Sequence, residues 1–411
     1  MSQFIERVKR LLRLVRSNGA DNTIYITILI ISIFGIIMIG DVSVGGSATY
    51  GSYYATLNMI KQVIFVVVGF VAMFFIAKAY KKRYLTANFI IFGYVASLFL
   101  MIICRLWEIN GAHAWIKLGP FTIQPVEFMK VVLIVALSYC FGQLPLRYSH
   151  AHYKSKAEYS MVQTNRFVNT IMIPFAAILI AFGVSFVLQD DLGSALIIGF
   201  ISYLMLLASP FKYLTKTKGI VTSLLIIAVL GFALLGGRLA PHQMERFISW
   251  LNPLKDVYGT SYQTVNGLVA FSNGGLFGLG FGNSVMKFGY IPEAQNDFII
   301  AIIVEELGLV GFILFIIVYL FLISRLFNYA FKVEDIEEKL ILLGISFYFF
   351  AHLFVNVGGV SGLIPMTGVP LLLISAGGTS TLTALSCIGL AQGIISKYNR
   401  HNLQEEVEDE L

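Results

Sequence analysis

The chain has 411 residues, of which 57% are hydrophobic and only 13% are charged, and its mean hydropathy is +0.80. A soluble domain carries about a quarter charged residues, so this composition excludes a soluble globular fold and a chain that is disordered over most of its length. The formal net charge of +6 does not indicate a nucleic-acid partner, and we predict none, because basic residues also anchor the loops of membrane proteins.

Apolar runs of about 20 residues recur along the chain and predict an all-α integral membrane protein. Residues 1–22 precede the first run. They are basic and amphipathic and lack a small-residue cleavage site, so we expect them on the cytoplasmic membrane surface. Residues 23–398 form the predicted membrane domain. Its ten predicted spans are 23–41, 62–80, 86–104, 125–142, 168–188, 192–210, 219–236, 297–323, 340–356 and 369–396.

Lys and Arg residues decide the orientation of these spans. Most of the 29 fall in the N-terminal segment, in every second connection and after the last span, and the positive-inside rule makes these segments cytoplasmic. Both termini are therefore predicted in the cytoplasm, with 399–411 as an acidic, disordered tail. The large outer loop, about 237–296, connects the seventh and eighth spans.

Segment 110–130 contains the first candidate site residues. Glu127 and Lys130 lie three residues apart at the start of the fourth span, so they share a helix face and can neutralise each other. Trp115 is either an interfacial belt aromatic or an aromatic wall for a sugar, and both interpretations are open. In the second interpretation Lys117 and Lys130 face a phosphate group.

A short outer turn between two spans carries two adjacent acids, Asp190 and Asp191. Acids at a helix start either cap the helix or hold a cation. We interpret these two as caps.

The outer loop ends in segment 259–311, which changes from a polar, glycine-rich loop into an apolar helix. Asp297 lies at that junction, where it is either a helix cap or first-turn acid, or a general base for a sugar hydroxyl. Glu305 and Glu306 follow about 12 to 14 Å further along the helix, near the middle of the bilayer. Charge in lipid is costly, so we expect both to face the bundle interior, paired structurally or contacting a substrate.

Segment 356–381 is uncharged, rich in Gly, Ser and Thr, and interrupted by Pro365 and Pro370. Such a segment allows helices to approach closely and offers backbone donors to an anionic ligand. The sequence does not separate these two roles.

Four motifs, in this order, resemble the SEDS family of shape, elongation, division and sporulation proteins. They are NGA-x-x-WI-x-LG-x-x-x-x-QP-x-E-x-x-K at 110–130, QDDLG at 189–193, GGLFGLGFGNSVMKFGYIPEAQNDFIIAIIVEELGLVG at 274–311 and NVGGVSGLIPMTGVPLLLISAGGTS at 356–380. With the ten spans, the resemblance covers nearly the whole chain. The GNSVMK-x-x-Y-x-PEA form resembles the FtsW-like division branch more than the RodA-like branch.

This resemblance implies a peptidoglycan glycosyltransferase that polymerises lipid II at the outer face of the bacterial cytoplasmic membrane, for septal wall synthesis. It also implies a cognate class B penicillin-binding protein, which is a transpeptidase, and divisome proteins as partners. The essential acid of the family corresponds to Asp297. The tryptophan and the Glu/Lys pair of the family correspond to Trp115, Glu127 and Lys130.

Three places depart from the family pattern. His113 and Ala114 stand where an arginine usually precedes the tryptophan. Gln295 and Asn296 replace the usual His-Thr before the essential acid. Ala376 replaces a tyrosine in the last motif, which removes an aromatic ring.

Under this resemblance, Asp297 takes the proton from the 4-hydroxyl of the acceptor N-acetylglucosamine, which attacks C1 of N-acetylmuramic acid with inversion. The cations expected to steady the departing undecaprenyl pyrophosphate are Lys117, Lys130, Arg246 and Lys287. Glu293 and Ser375 complete the candidate substrate-binding residues. No cofactor is required; a divalent cation, Mg²⁺ or Mn²⁺, is left open, and no protein metal site is predicted.

Three other functions are open. A lipid II flippase or transporter needs the same polar cavity but no general base, a scaffold only recruits the transpeptidase, and a RodA-type polymerase serves elongation. A transporter also needs a polar path through the cytoplasmic half of the spans. The inner ends of these spans show little polarity beyond basic anchors, which favours the enzyme.

Overall fold

The structure is a computed structural model that describes residues 19–109, 111–119, 121–149, 155–235, 249–259 and 261–409. The long helices are α1 Asn22–Val42, α2 Tyr54–Ala79, α3 Ala87–Ile103, α4 Pro125–Ser138, α5 Lys156–Leu188, α6 Leu192–Ala208, α7 Thr215–Leu235, α8 Tyr262–Gly274, α9 Ile299–Lys332, α10 Ile336–Val360 and α11 Gly378–Asp409. Strands β1 Ile116–Leu118 and β2 Phe121–Ile123 form an antiparallel hairpin before α4. Shorter helical segments are Ser47–Tyr50, Lys82–Tyr84, Cys104–Leu106, Tyr139–Gln143, Leu144–Ser149, Lys212–Leu214 and Pro253–Lys255.

Eight helices in the described part of the chain are long and apolar enough to cross a membrane. Two further helices lie at predicted spans: α6, which has 17 residues, and α7, which has 21. The prediction of a mostly helical, multi-pass membrane protein is confirmed. The number of ten spans stays a prediction.

The structure differs from the prediction at both ends of the last helix. The predicted span 369–396 begins too early, because residues 369–377 form a loop and α11 starts at Gly378. Pro370 lacks an N–H, and Leu373 has a φ of +69°, so neither favours a helix there. At the other end α11 continues to Asp409, so the expected disordered tail is helical over 399–409. The basic N-terminal segment lies outside the described residues as far as residue 18.

Ion pairs lie at the two ends of α1, of which the predicted orientation makes the start the inner end and the finish the outer end. At the inner end Arg325 of α9 contacts Asp21 at 2.7 Å. At the outer end Asp41 pairs with Lys287, which also pairs with Glu306 of α9. The 21 residues of α1 rise about 30 Å, which is the thickness of the hydrocarbon core. Glu306 therefore lies level with the Asp41 end of α1 rather than midway along it, which does not fit the expected position near the middle of the bilayer.

The reason is a break in α9 at Gly308, whose φ of 69° and ψ of −177° are not helical. Residues 309–332 alone rise about 36 Å, enough to cross the core without the turns before the break. Four backbone hydrogen bonds of 2.9 to 3.1 Å join the break to outer-loop residues 275–280. The outer loop thus satisfies the polar backbone groups that the break exposes.

The site rests on a small set of helix contacts. α11 packs along α2, and α9 packs against α8 and α10. At the inner side, Lys82 pairs with Asp335, and Lys397 pairs with Glu338 at 2.8 Å. These pairs tie the connection after α2 and the end of α11 to the start of α10.

Candidate active site

A polar cavity of about 210 Å³ lies at the outer ends of α2 and α11. Its wall comes from the outer turns of α2, from strand β2, from residues 293–296 before α9 and from residues 376–378 at the start of α11. Asn296 lines the cavity, and Asp297 follows it in the chain. The cavity therefore adjoins the predicted catalytic acid.

Asp297 is held by its backbone and does not cap α9, whose N-cap is Phe298. The main-chain carbonyl of Asp297 accepts a hydrogen bond from the side-chain amide of Asn356 at 2.8 Å. The same amide donates to the carbonyl of Val369 at 2.8 Å. A Cβ placed on Gly368 would lie 3.6 Å from Oδ2 of Asp297, so the loop before α11 passes close to the carboxylate.

The depth of Asp297 follows from its contact with α10. That helix begins at the inner side, beside Asp335, and Asn356 lies about 30 Å along it. A helix of that length crosses a hydrocarbon core of about 30 Å, so Asp297 lies at the end of the bundle opposite Asp335, the end that is predicted to be the outer one. A carboxylate at this depth is within reach of water and of a lipid headgroup.

Glu293 has an unusual backbone conformation, with a φ of +52°. Its Oε2 accepts hydrogen bonds from the side-chain amides of Gln295 at 2.8 Å and Asn296 at 3.1 Å. Its Oε1 lies 3.4 Å from the hydroxyl of Tyr50. Glu293 therefore organises the two residues that precede Asp297.

The α2 residues that line the cavity were not among the residues predicted from the sequence. Asn58, Lys61 and Gln62 have i, i+3 and i+4 spacing, so they share one face of an otherwise apolar helix. Gln62 is buried and donates to the hydroxyl of Thr381 at 3.1 Å, which links α2 to α11. The polar stripe is the sequence signal that identifies this face. The predicted second span begins at residue 62 and so leaves out the first two residues of the stripe.

Glu127 and Lys130 form a buried ion pair of 2.7 Å, which confirms that they neutralise each other. The hydroxyl of Tyr348 donates to Glu127 at 3.0 Å, and Nζ of Lys130 lies 3.4 Å from Nε2 of His352. Nδ1 of His352 lies 2.9 Å from the carbonyl of Pro370, so Nδ1 carries the proton. The network joins α4, α10 and the loop before α11. In this network the ammonium group of Lys130 contacts protein side chains rather than an open surface.

The ammonium group of Lys287 also pairs with carboxylates of the protein. Lys287 is 4% exposed, and its Nζ lies 2.8 Å from both Asp41 and Glu306. Glu305 accepts hydrogen bonds from the side-chain amide of Asn273 and from the hydroxyl of Ser284. Both glutamates are fully buried, as predicted, and their partners belong to the outer loop and α1.

The remaining candidates are dispersed. Ser375 is buried, and its hydroxyl accepts the N–H of Leu371 at 2.9 Å within the loop. Lys117 is exposed and pairs with Thr122 in the hairpin register, but it is not one of the residues that line the cavity in the described part of the chain. Trp115 is half-buried immediately before β1. Arg246, which is predicted to contact the pyrophosphate, lies outside the described residues.

The cap interpretation is confirmed for Asp191, one of the two adjacent acids at 190–191. Its Oδ1 accepts the N–H of Ser194 at 2.9 Å and caps α6. Its Oδ2 accepts from the side-chain amide of Gln124 at 2.9 Å, which ties this turn to the start of α4.

The family model FTSW_RODA_SPOVE, described as "Cell cycle protein", matches residues 21–401. The probable peptidoglycan glycosyltransferase FtsW of Bacillus subtilis (strain 168) is 34% identical over 72% of this chain and 71% of that protein. The protein of the same name from Lactococcus lactis subsp. lactis (strain IL1403) is 30% identical over 96% of this chain and 96% of that protein.

A solved structure from work on the structural coordination of polymerization and crosslinking by a peptidoglycan synthase complex shares the fold. It has a TM-score of 0.70 at 24% identity and covers 92% of this chain and 98% of that chain. The family match, the two relatives and the shared fold each extend over most of the chain. This chain therefore belongs to the FtsW/RodA/SpoVE family of cell cycle proteins.

Proposed function

We propose that this protein is a peptidoglycan glycosyltransferase that polymerises lipid II at the outer face of the cytoplasmic membrane, for septal wall synthesis in cell division. The observation that carries the proposal is the position of Asp297. It is an acid held by Asn356 beside a polar cavity, at the end of the bundle that we propose faces outward. The names of the two FtsW relatives support the same activity.

In this proposal Asp297 is the general base. Its carboxylate accepts the proton of the acceptor 4-hydroxyl, whose oxygen forms a bond to C1 of the donor N-acetylmuramic acid. The bond from C1 to the pyrophosphate oxygen breaks, and its electron pair leaves with undecaprenyl pyrophosphate. Attack opposite the leaving group inverts C1. Pyrophosphate is already a good leaving group, so one carboxylate replaces the acid and base pair of inverting glycosidases.

The four cations predicted to steady the pyrophosphate are not equivalent. Lys130 and Lys287 are buried against carboxylates, so they have little positive charge to offer a ligand. Lys117 is exposed on the hairpin beside the cavity-lining Thr122 and has no carboxylate partner among the described residues. We therefore propose the pyrophosphate contact for Lys117 and for Arg246, which lies outside the described residues.

A divalent cation has no ready protein site in the described part of the chain. No group of three or more His, Cys, Asp or Glu side chains there is arranged to hold a metal ion. An ion used in the reaction would thus arrive with the pyrophosphate, and we derive no step through it. Polymerisation that is unchanged by a chelator would remove the metal from the scheme.

The partner and the location follow from the same proposal. We expect the protein to work with a class B penicillin-binding protein and other divisome proteins, with both termini in the cytoplasm. Co-purification with the cognate transpeptidase, and a change in polymerisation rate when it is added, test the partner. Reporter fusions at each terminus test the orientation, and imaging of a fluorescent fusion tests septal placement.

The central test is polymerisation of labelled lipid II by the purified protein, with and without its transpeptidase, for wild type, Asp297→Asn and Asp190→Asn. Loss of a general base lowers the rate by about 10²- to 10⁴-fold, so we expect no measurable glycan from Asp297→Asn. Asp190 is an exposed acid in another outer turn, and its φ of +55° suits asparagine, so this control should polymerise normally.

The outcomes separate the rival functions. Equal polymer from wild type and Asp297→Asn would remove the base from the proposal. Transport of lipid II across vesicles without polymerisation would support a flippase. Activity only with an elongation transpeptidase would support the RodA-type alternative, and stimulation of the transpeptidase without any glycan would support a scaffold.

A further inference from the structure

The charge of the cavity wall is balanced. In the described part of the chain, Lys61 is its basic lining residue and Glu293 is its acidic one. Amide side chains, including those of Asn58 and Asn296, make up much of the remaining polar surface. A wall of this kind suits a neutral ligand rich in hydroxyl and amide groups better than a pyrophosphate, which needs an excess of positive charge.

Glu293 has a free acceptor position in this wall. Its Oε2 is engaged by Gln295 and Asn296, whereas the contact of Oε1 among the described residues is the long one of 3.4 Å to Tyr50. The positive φ of Glu293 costs energy, and such strain concentrates at binding and catalytic sites. A carboxylate oxygen in this position can accept hydrogen bonds from ligand hydroxyls.

Two aromatic rings stand next to that carboxylate. The rings of Tyr50 and Tyr54 stack with centroids 4.7 Å apart, and the hydroxyl of Tyr54 accepts from Gln295 at 2.8 Å. Tyr54 lines the cavity, and Tyr50 is 62% exposed, so one ring is fixed and the other has an open face. The C–H face of a pyranose ring packs well against such an aromatic face.

We propose that this cavity is the subsite for the neutral N-acetylhexosamine ring of the acceptor, with Glu293 accepting its hydroxyl hydrogen bonds and Tyr50 covering its apolar face. The inference rests on the proposed function and adds the acceptor position to it. The sugar adjoins Asp297 through Asn296, which fits an acceptor hydroxyl that must reach the base. The charged pyrophosphate then binds outside the cavity.

The variants Tyr50→Ala, Tyr50→Phe and Glu293→Gln test this subsite, with Tyr53→Ala as the matched control. Neither Tyr50 nor Tyr53 is itself a lining residue, but Tyr50 contacts Glu293 and stacks on the lining ring of Tyr54. Tyr53 is 76% exposed, precedes the same helix and makes neither contact in the described part of the chain. With the full chain and its transpeptidase, Tyr50→Ala and Glu293→Gln should each raise KM for lipid II by about three- to tenfold. Tyr50→Ala should leave kcat within about twofold, whereas Glu293→Gln can also lower kcat because Glu293 organises the residues before Asp297. Tyr50→Phe keeps the ring and should stay near wild type, as should Tyr53→Ala.

A direct binding measurement separates this inference from the polymerase activity. N,N′-diacetylchitobiose, a neutral disaccharide of N-acetylglucosamine, serves as the probe in saturation-transfer NMR with wild type, Asp297→Asn and the variants above. We expect a signal with wild type, Asp297→Asn, Tyr50→Phe and Tyr53→Ala, and its loss in Tyr50→Ala and Glu293→Gln. Inorganic pyrophosphate should not displace the sugar.

Each outcome has a distinct meaning. Displacement by pyrophosphate, or an unchanged signal and KM in Tyr50→Ala and Glu293→Gln, would overturn the sugar subsite and leave the polymerase intact. Sugar binding by a wild type that makes no glycan would support the subsite and reject the proposed polymerase.

Discussion

At the scale of single residues, Lys287 shows how a charge can be held inside the molecule without contacting a ligand. Its ammonium group lies between Asp41 on α1 and Glu306 on α9, and it also donates to the carbonyl of Gly282 at 2.9 Å. Removing one member of a buried ion cluster leaves the others uncompensated, which costs about 3 to 5 kcal/mol. The lysine thus joins the outer loop to two helices.

We predict that Lys287→Met lowers the free energy of unfolding by about that amount, because two buried carboxylates lose their counter-ion. Thermal unfolding in detergent measures the effect, and Lys255→Met, at an exposed position of the outer loop, is the control. If Lys287→Met unfolds like wild type but needs more lipid II to reach half its maximal rate, Lys287 contacts the substrate instead.

At the scale of elements, the break in α9 decides how the outer loop meets the membrane domain. A Cβ on Gly308 would lie 2.4 Å from the backbone nitrogen of Gly278, and a Cβ on Gly278 would lie 2.1 Å from the carbonyl oxygen of Glu306. Both glycines also have positive φ angles. The contact therefore requires two glycines that are 30 residues apart, and it fixes the turns of α9 that follow Asp297.

We predict that Gly308→Ala destabilises the protein by more than about 2 kcal/mol, because the methyl group overlaps backbone atoms and the φ is unfavourable. The matched control is Gly219→Ala in α7, where a Cβ meets nothing within 4 Å and alanine favours the helix. Melting temperatures of the two variants measure the difference. Equal melting temperatures would show that α9 can become regular at residue 308 without its contacts to the outer loop.

Sequence periodicity and charge were enough to place most of the helices and to single out Asp297, because both signals are local. They could not reveal the break in α9, since Gly308 lies within a continuous apolar run and its partner is distant in the chain. For the same reason Lys287 was expected to face pyrophosphate, although Asp41 and Glu306 surround it. Such partners become visible only when the chain is folded.

At the scale of the whole molecule, ion pairs on the inner side close the bundle opposite the candidate site. Burial alone would raise the pKa of Asp335, but the hydrogen bonds from Lys82 and from the N–H of Glu338 outweigh it and lower that pKa. The pKa of Asp21 is also lowered, because the hydrogen bond from Arg325, with others, outweighs the effect of burial. Such carboxylates stabilise the folded state only while they are ionised.

We predict that the contribution of Asp335 to stability is fully present above its unfolded pKa of about 3.9 and is lost as the pH falls through the lower folded value. Asp335→Asn should make unfolding less dependent on pH below about 4. Asparagine still caps α10, so the helix start is preserved. Glu334→Gln, at the exposed neighbour, is the control, and an identical acid response in both variants would contradict the prediction.

The amide of Asn356 has a consequence for exchanging parts between related proteins. It holds the carbonyls of Asp297 and Val369, which belong to segments before α9 and before α11, at equal distances of 2.8 Å. A chimaera that takes one of these segments from a relative and keeps the other from this chain would pair backbones that were never matched. The segments before α9 and α11 and the outer half of α10 therefore form one module, and functional hybrids should be those that transfer all three together.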